Sequence, residues 1–172
     1  MLFLLVIVFM FAATWLIPPR SRWTATDRWR AALALGMVVA GVSHLVSPTS
    51  FLQHLPEWMP LRSPTVFVSG LVEIAFGIAL LVRTRWRPMI GWALVAYLVA
   101  VFPGNIYVAV AGIDVQGQPD GIYAWIRLLF QPLFVWLALW TTGANAVPPV
   151  PTAIRRLRTG EAAPTLSVRI FR

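Results

Sequence analysis

The sequence predicts an all-α membrane protein, built as a four-helix transmembrane bundle core plus one additional N-terminal transmembrane helix. Hydrophobic residues make up 59% of the 172 residues and charged residues only 12%, whereas soluble domains carry about 25% charged residues. Several apolar runs approach the roughly 20 residues that cross a bilayer as a helix. The chain has no Cys, which excludes disulfides, thiolate metal sites and thiol redox chemistry.

The first predicted span, Leu2–Ile17, ends at Pro18-Pro19 and gives an N-terminal helical unit over residues 1–19. Its length is near the lower limit for crossing a membrane. A cleaved signal peptide is the alternative. No basic segment precedes the apolar run, however, and residues 12–14 make a poor cleavage site, so a retained helix is favoured.

Four further spans form the predicted bundle, which occupies residues 20–143. Their approximate ranges are Arg30–Val46, Thr65–Val82, Met89–Ala111 and Tyr123–Thr142. Ser63 and Pro64 are placed to begin the third span as N-cap and first helical residue. We expect Pro103-Gly104 to interrupt the fourth span and Gly143 to close the fifth.

The connection between the second and third spans, residues 47–64, is not an ordinary loop. Its four prolines oppose a long helix. Its apolar side chains make full exposure to water unfavourable. They are Phe51, Leu52, Leu55, Trp58 and Met59. We expect a short amphipathic or re-entrant segment that caps the outer face of the bundle.

All fourteen basic residues are Arg, and their distribution predicts the orientation. The connections after the first and third spans and the tail after the fifth are rich in Arg, whereas the other two connections carry only Arg62. The positive-inside rule then places the N-terminus outside and the C-terminus in the cytoplasm, in a cell (inner) membrane. Residues 144–172 form a basic, Pro-rich cytoplasmic tail. The net charge of +8 therefore marks orientation, and nucleic acid is not an expected partner.

Glu73 stands in the middle of the third span, where an uncompensated carboxylate costs several kcal/mol. At the helical rise per residue it lies roughly 12 Å below the outer end of that span. Gln131 lies at a similar depth on the fifth span, with Arg127 one turn above it. His44 and Asn105 fall in the same half of their own spans. These five residues predict a polar pocket inside the bundle, open toward the outer face.

Small residues predict where the second and third spans pack against each other. Ser69, Glu73 and Gly77 share one face of the third span at a spacing of four residues. Gly36, Ala40 and His44 share a similar face of the second. Ridges of this kind allow membrane helices to approach closely.

Two interpretations of the polar residues stay open. In the first, the pocket binds the polar end of a lipophilic ligand such as a quinone or a lipid. In the second, Glu73 and Arg127 form a structural ion pair in an assembly or chaperone-like protein, since a buried pair is weak evidence for catalysis. Proton transfer by Glu73 ranks last, because His44 is the only other candidate acid or base. We expect no catalytic activity of the chain's own, no metal site and no evident cofactor apart from a quinone.

Several motifs, in order along the chain, resemble the DoxX-like family of small polytopic membrane proteins. They are GVSHL at Gly41–Leu45, the prolines of the connection, SGLVEIAFGIALLVRTR at Ser69–Arg85, VFPGNIYVA at Val101–Ala109 and WIRLLFQPLFVW at Trp125–Trp136. Departures from the family pattern at Leu45, Gly104 and Leu129 are apolar or small exchanges. They leave the Glu, Asn, Arg and Gln positions intact.

The resemblance implies a four-helix core and an association with redox chemistry. The family is named after a subunit of a thiosulfate:quinone oxidoreductase, and more distant relatives look like assembly chaperones of membrane receptors. It thus implies quinone binding, and a membrane oxidoreductase or another membrane protein as partner beside the lipid bilayer. Whether the chain forms a homo-oligomer is also left open. The chain itself carries no visible redox cofactor motif.

Overall fold

The computed structural model describes residues 8, 12, 23–82, 84–116 and 122–146. Its helices are α1 (Ala25–Val46), α2 (Pro48–Leu52), α3 (Arg62–Leu81), α4 (Arg87–Ala111) and α5 (Ile122–Thr142), followed by a 3-10 turn at Ala144–Ala146. All but α2 are long and apolar enough to cross a membrane. The predicted all-α membrane bundle is thereby confirmed. The predicted first span, apart from residues 8 and 12, and residues 147–172 of the tail lie outside the described residues.

Helix α1 begins at Ala25, earlier than the predicted Arg30, because a capping box stabilises its first turn. The Asp27 N–H donates to Thr24 Oγ1 at 3.2 Å, and the Thr24 N–H donates to Asp27 Oδ2 at 3.1 Å. Asp27 also forms an ion pair with Arg30, whose Nη1 donates to the carbonyl of Thr141 at 3.2 Å. Charged residues that hydropathy assigned to a loop therefore connect the start of α1 to the end of α5.

The closest helix contact is the antiparallel crossing of α1 and α3. A Cβ on Gly41 would lie 2.4 Å from the Gly70 carbonyl oxygen, and a Cβ on Gly77 would lie 2.7 Å from the Ala34 carbonyl oxygen. Neither glycine has room for a side chain, so the two backbones touch. Gly77 belongs to the predicted ridge on the third span. The other close contacts fall at Gly70 and Gly41, one residue from the predicted Ser69 and Ala40.

Helix α3 does not begin where the sequence indicated. Leu61 is its N-cap, in a left-handed conformation with φ 58°, and makes no side-chain capping bond. The predicted N-cap Ser63 is therefore wrong. Pro64 still falls in the first turn, where its missing N–H breaks no intrahelical bond. Arg62, the first residue of the helix, donates from Nη2 to the Leu52 carbonyl at 2.7 Å and so ties α3 to the end of α2.

The predicted interruption of the fourth span is also wrong, because α4 continues through Pro103. This proline has no N–H and leaves the Val99 carbonyl without its usual intrahelical donor. Gln131 of α5 donates from Nε2 to the adjacent carbonyl of Leu98 at 2.8 Å. A neighbouring helix thus supports the backbone near the proline, as is common in membrane helices. Gly143, with φ 73°, follows the end of α5 as predicted.

The long helices pack as two pairs. Helix α1 lies along α3, α4 lies along α5, and α1 also contacts α5, whereas α3 and α4 meet over a short stretch only. A buried apolar cluster joins the pairs through Leu33, Leu80, Leu94 and Phe134. Many large apolar side chains remain exposed, among them Phe67, Leu71, Val99, Val110 and Trp136. An apolar outer surface of this kind suits contact with lipid.

The crossing of α1 and α3 predicts that Gly41→Ala destabilises the fold. The added methyl would collide with backbone rather than with a mobile side chain, so the helices must part, at a cost of about 1–3 kcal/mol. Thermal unfolding of the detergent-solubilised protein measures the change. Val42→Ala, at the exposed neighbouring residue, is the control. Equal thermal stability of the two variants would contradict the close crossing.

Candidate functional site

Glu73 of α3 is the buried carboxylate of the bundle interior, with 9% of its surface exposed. Its two oxygens face side chains from two other helices. Tyr97 of α4 donates from Oη to Oε1 at 2.9 Å. His44 of α1 places Nδ1 3.1 Å from Oε2. We name His44, Glu73 and Tyr97 the carboxylate cluster.

The direction of helical side chains explains why His44 and Glu73 meet. Each Cα–Cβ bond leans toward the N-terminus of its own helix. Because α1 and α3 run in opposite directions, the two side chains lean toward each other along the bundle axis. Gly70 makes room for the imidazole, since a Cβ there would lie 2.8 Å from the His44 Cβ. The same close crossing that joins the helices therefore assembles this part of the cluster.

The surroundings of His44 assign a proton to Nδ1. This nitrogen lies 2.9 Å from the Ala40 carbonyl oxygen and 3.1 Å from Glu73 Oε2, and both oxygens are acceptors. A bare nitrogen lone pair facing two acceptors would be repelled, so Nδ1 must carry hydrogen. Its N–H faces the Ala40 carbonyl and Glu73 Oε2 together, at similar distances. Glu73 Oε2 therefore shares this N–H with a backbone carbonyl rather than having a donor of its own among the described residues.

Tyr97 is the cluster residue that sequence reasoning missed. Its hydroxyl has one proton and lies nearer to Glu73 Oε1, at 2.9 Å, than to the Ser69 carbonyl, at 3.5 Å. Its ring packs beside Phe76, with centroids 5.6 Å apart. Aromatic residues are common packing residues of helix bundles, so the sequence pattern did not single out Tyr97. The Tyr97 hydroxyl, ten residues inside the fourth helix, could nevertheless have been recognised from the sequence, because a hydroxyl needs a hydrogen-bond partner in an apolar environment.

Arg127 does not join this cluster. Among the described residues, Glu73 contacts His44 and Tyr97, and the proposed Glu73–Arg127 ion pair is not formed. The half-buried Arg127 lies instead within electrostatic reach of His54. The sequence estimate gave Gln131 the depth of Glu73 and placed Arg127 one turn above, but depth along two helices does not determine which faces meet. The structural ion-pair interpretation therefore loses the contact on which it was based.

The remaining predicted residues have different surroundings. Gln131 donates to the backbone of α4 and so stabilises the helix pair rather than contacting Glu73. Asn105 is half-buried and makes no hydrogen bond within the described part of the chain. It follows Gly104, where a Cβ would lie 3.0 Å from the His54 carbonyl oxygen. Of the five predicted residues, the structure brings His44 and Glu73 into contact.

Residues 47–61, which we call the cap segment, cover the end of the bundle above His44. The Phe51 ring stacks on the His44 imidazole with centroids 3.6 Å apart. Ser50 Oγ donates to the Gln116 carbonyl, and the Gln116 N–H donates to Gln53 Oε1, both at 2.8 Å. These bonds fasten the cap segment to the chain that follows α4. The cluster is thus closed at this end by an aromatic ring held in place.

His54 of the cap segment is kept neutral. Burial, followed by the positive charges of Arg127 and His44, lowers the pKa of His54 to about 4. A hydrogen bond between its Nδ1 and the Ser50 carbonyl, at 3.0 Å, fixes the ring. The Phe51 and His54 rings have centroids 6.2 Å apart, so Phe51 stands between the two histidines. Within the described residues, no group of three or more His, Asp or Glu could hold a metal ion.

A separate open groove runs along α4, with a volume of about 440 Å³. It is almost wholly apolar and is lined by Pro103, Ile106, Tyr107, Val110 and Ala111. None of these residues belongs to the carboxylate cluster. The groove and the cluster are therefore distinct features.

The family described as "Domain of unknown function (DUF8561)" matches residues 33–142. The chain belongs to this family. The match covers well over half of the 172 residues and extends from α1 to the last residue of α5, so it includes the whole carboxylate cluster and the cap segment. No curated protein and no solved structure matches the chain.

Tyr97→Phe is expected to destabilise the protein, because it leaves Glu73 Oε1 buried without its donor. The free energy of unfolding should fall by about 1–3 kcal/mol. Tyr107→Phe on the same helix is the matched control, since Tyr107 is also half-buried and makes no hydrogen bond to a described residue. Denaturant unfolding in detergent measures both changes. The hydrogen bond to Glu73 would be refuted by a Tyr97→Phe protein as stable as the control.

Acidification is expected to loosen the cap segment. The pKa of His54 is about 4 in the folded protein against 6.5 for a free imidazole. Between these values the unfolded chain binds the extra proton, so stability falls as the pH drops from 6.5 toward 4. Thermal unfolding at pH 7 and pH 5 measures the loss. His54→Asn can retain the bond to Ser50 without titrating, and should show a smaller pH dependence; an unchanged dependence would exclude His54 as its source.

Proposed function

We propose that this membrane protein binds the polar head of a lipophilic molecule, quinone- or lipid-like, at the carboxylate cluster. The protein then acts as a binding subunit beside a partner membrane protein, without a reaction of its own. The observation that carries the proposal is Glu73 Oε2. It is buried, and its polar contact among the described residues is His44 Nδ1 at 3.1 Å, whose N–H also faces the Ala40 carbonyl.

A purely structural role explains this oxygen poorly. Buried polar atoms in proteins nearly always have a hydrogen-bond partner, and each exception needs a reason. The free-energy cost of a missing partner is greater for a carboxylate inside a membrane than for one in water. Tyr97 satisfies Oε1, whereas Oε2 has, from the described part of the chain, only a share of the His44 N–H, which also faces the Ala40 carbonyl. A ligand that donates a hydrogen bond to Oε2 supplies the missing partner.

This geometry selects a donor on the ligand. Because the free group is a carboxylate oxygen, its complement is a hydroxyl, as in a quinol or a lipid alcohol. The buried core of the bundle is mostly apolar, with Leu80, Leu94 and Leu98 among its residues, and suits an apolar tail or ring. A few polar groups in an otherwise apolar site are the usual composition of small-molecule sites between helices.

Kinship with DoxX-like proteins is part of the proposal. The support is the set of motifs that contain His44, Glu73, Asn105, Arg127 and Gln131. This kinship would favour a quinone as ligand and a membrane oxidoreductase as partner. The proposed location is a cell membrane with the cap segment outside and the tail in the cytoplasm, supported by the distribution of Arg.

The test is mass spectrometry of the molecules that co-purify with the protein in mild detergent. Wild type should retain a defined hydroxyl-bearing lipophile, and Glu73→Gln should retain much less of it, because the amide cannot replace the charged acceptor. Glu57→Gln, which changes an exposed carboxylate in the cap segment, should behave as wild type.

Other outcomes would redirect the search. Bulk lipid alone in all three samples, with Glu73→Gln merely less heat-stable, would make Glu73 a structural residue and overturn the proposal. A membrane protein that co-purifies in fixed ratio with both wild type and Glu73→Gln, without a lipophile, would instead favour an assembly function.

A further inference from the structure

The side of the bundle between α3 and α4 is its least closed side. Helix α1 packs extensively on α3, and α4 packs extensively on α5, but α3 and α4 contact each other over a short stretch only. We call the line between them the α3–α4 seam. Both helices have the length and apolarity of transmembrane helices and expose large apolar side chains such as Leu71 and Val99, so we expect this seam to face lipid.

Glu73 lies directly behind the seam. Near Glu73 the two helices are bridged by the hydrogen bond from Tyr97 to Glu73 and by the packing of the Tyr97 ring against Phe76. Both aromatic residues are half-buried and lie at the edge of the core. Two ring side chains therefore separate the buried carboxylate from the surface that lipid would cover.

The other approach to Glu73, from the cap end, is closed. The Phe51 ring lies on His44, and three hydrogen bonds hold the cap segment to Gln116 and Arg62. A water-soluble molecule would have to break these contacts. A molecule dissolved in the bilayer has to displace side-chain rings alone, and such rotamer changes need no movement of the helices.

We propose that the α3–α4 seam is a lateral entrance, gated by Phe76 and Tyr97, through which a neutral hydroxyl-bearing amphiphile reaches Glu73 from the bilayer. The inference rests on the proposed function and adds the route and the charge of the ligand. When Tyr97 swings aside, Oε1 loses its donor, and the ligand hydroxyl takes that place or binds Oε2. The carboxylate thus exchanges one hydroxyl partner for another of the same kind.

The charge of the seam selects a neutral head. Residues 63–82 and 88–111 contain no Arg or Lys, and the buried charged group behind the seam is a carboxylate. A phosphate-bearing headgroup would meet no Arg or Lys along the seam and would be repelled by Glu73. A quinol or a neutral lipid alcohol meets neither obstacle.

The test uses two photoreactive probes with the same diazirine tail, one with a hydroquinone head and one with a phosphate head. Each is added in phosphatidylcholine vesicles to the full-length protein in proteoliposomes, and cross-linked peptides are mapped after short incubations. We expect the hydroquinone probe to label peptides of α3 and α4 around Phe76 and Tyr97. Labelling by the phosphate probe should be severalfold lower and spread over the lipid-facing surface.

Variants test the gate. Phe76→Ala should raise the initial labelling rate by the hydroquinone probe severalfold, because it widens the seam. Phe130→Ala on α5, which also truncates a half-buried ring at the edge of the core, should leave the rate unchanged. The wild-type labelling map does not depend on the folding of either variant.

The outcomes separate the two proposals. Specific labelling of the cap segment by the hydroquinone probe, with Phe76→Ala unchanged, would overturn the lateral entrance and leave ligand binding in place. Equal, diffuse labelling by both probes would overturn the binding site and the entrance together.

Discussion

The contact of α1 with α3 at Gly41 and Gly70 is the constraint on which the rest of the structure depends. Two backbones can come this close only where neither residue has a side chain. The approach brings His44 to Glu73 and fixes the height at which they meet. It also makes α1 and α3 one rigid pair, against which α4 and α5 pack as the other.

The buried carboxylate is tolerated because its neighbours come from different helices. Tyr97 of α4 donates to one oxygen and His44 of α1 stands beside the other. Each contact compensates part of the cost of placing a charge in an apolar interior. Glu73 therefore links three helices, and the link between α3 and α4 depends on it most, because these helices share few other contacts.

Hydropathy predicted the four described spans well, since length and apolarity determine whether a helix crosses a membrane. It estimated depth but not the direction in which side chains point around the helix. A pair between Glu73 and Arg127 was therefore one of two open interpretations, although the two residues do not meet in the described structure. The start of α1 was missed because Thr24 and Asp27 act through local hydrogen bonds, to which hydropathy is blind. The left-handed Leu61 has no sequence signal at all, since such a conformation is unusual for a bulky residue.

Phe51 separates the surroundings of His44 from those of His54. It stacks on His44 on one side and faces His54 on the other. The Glu73 carboxylate consequently lies beside His44, while the Arg127 charge acts on His54. A direct pair between Glu73 and Arg127 would use the carboxylate oxygens for an interaction within the protein. The arrangement observed instead leaves Oε2 with an imidazole N–H that it shares with a backbone carbonyl, and a buried acceptor so weakly satisfied needs a structural or functional reason.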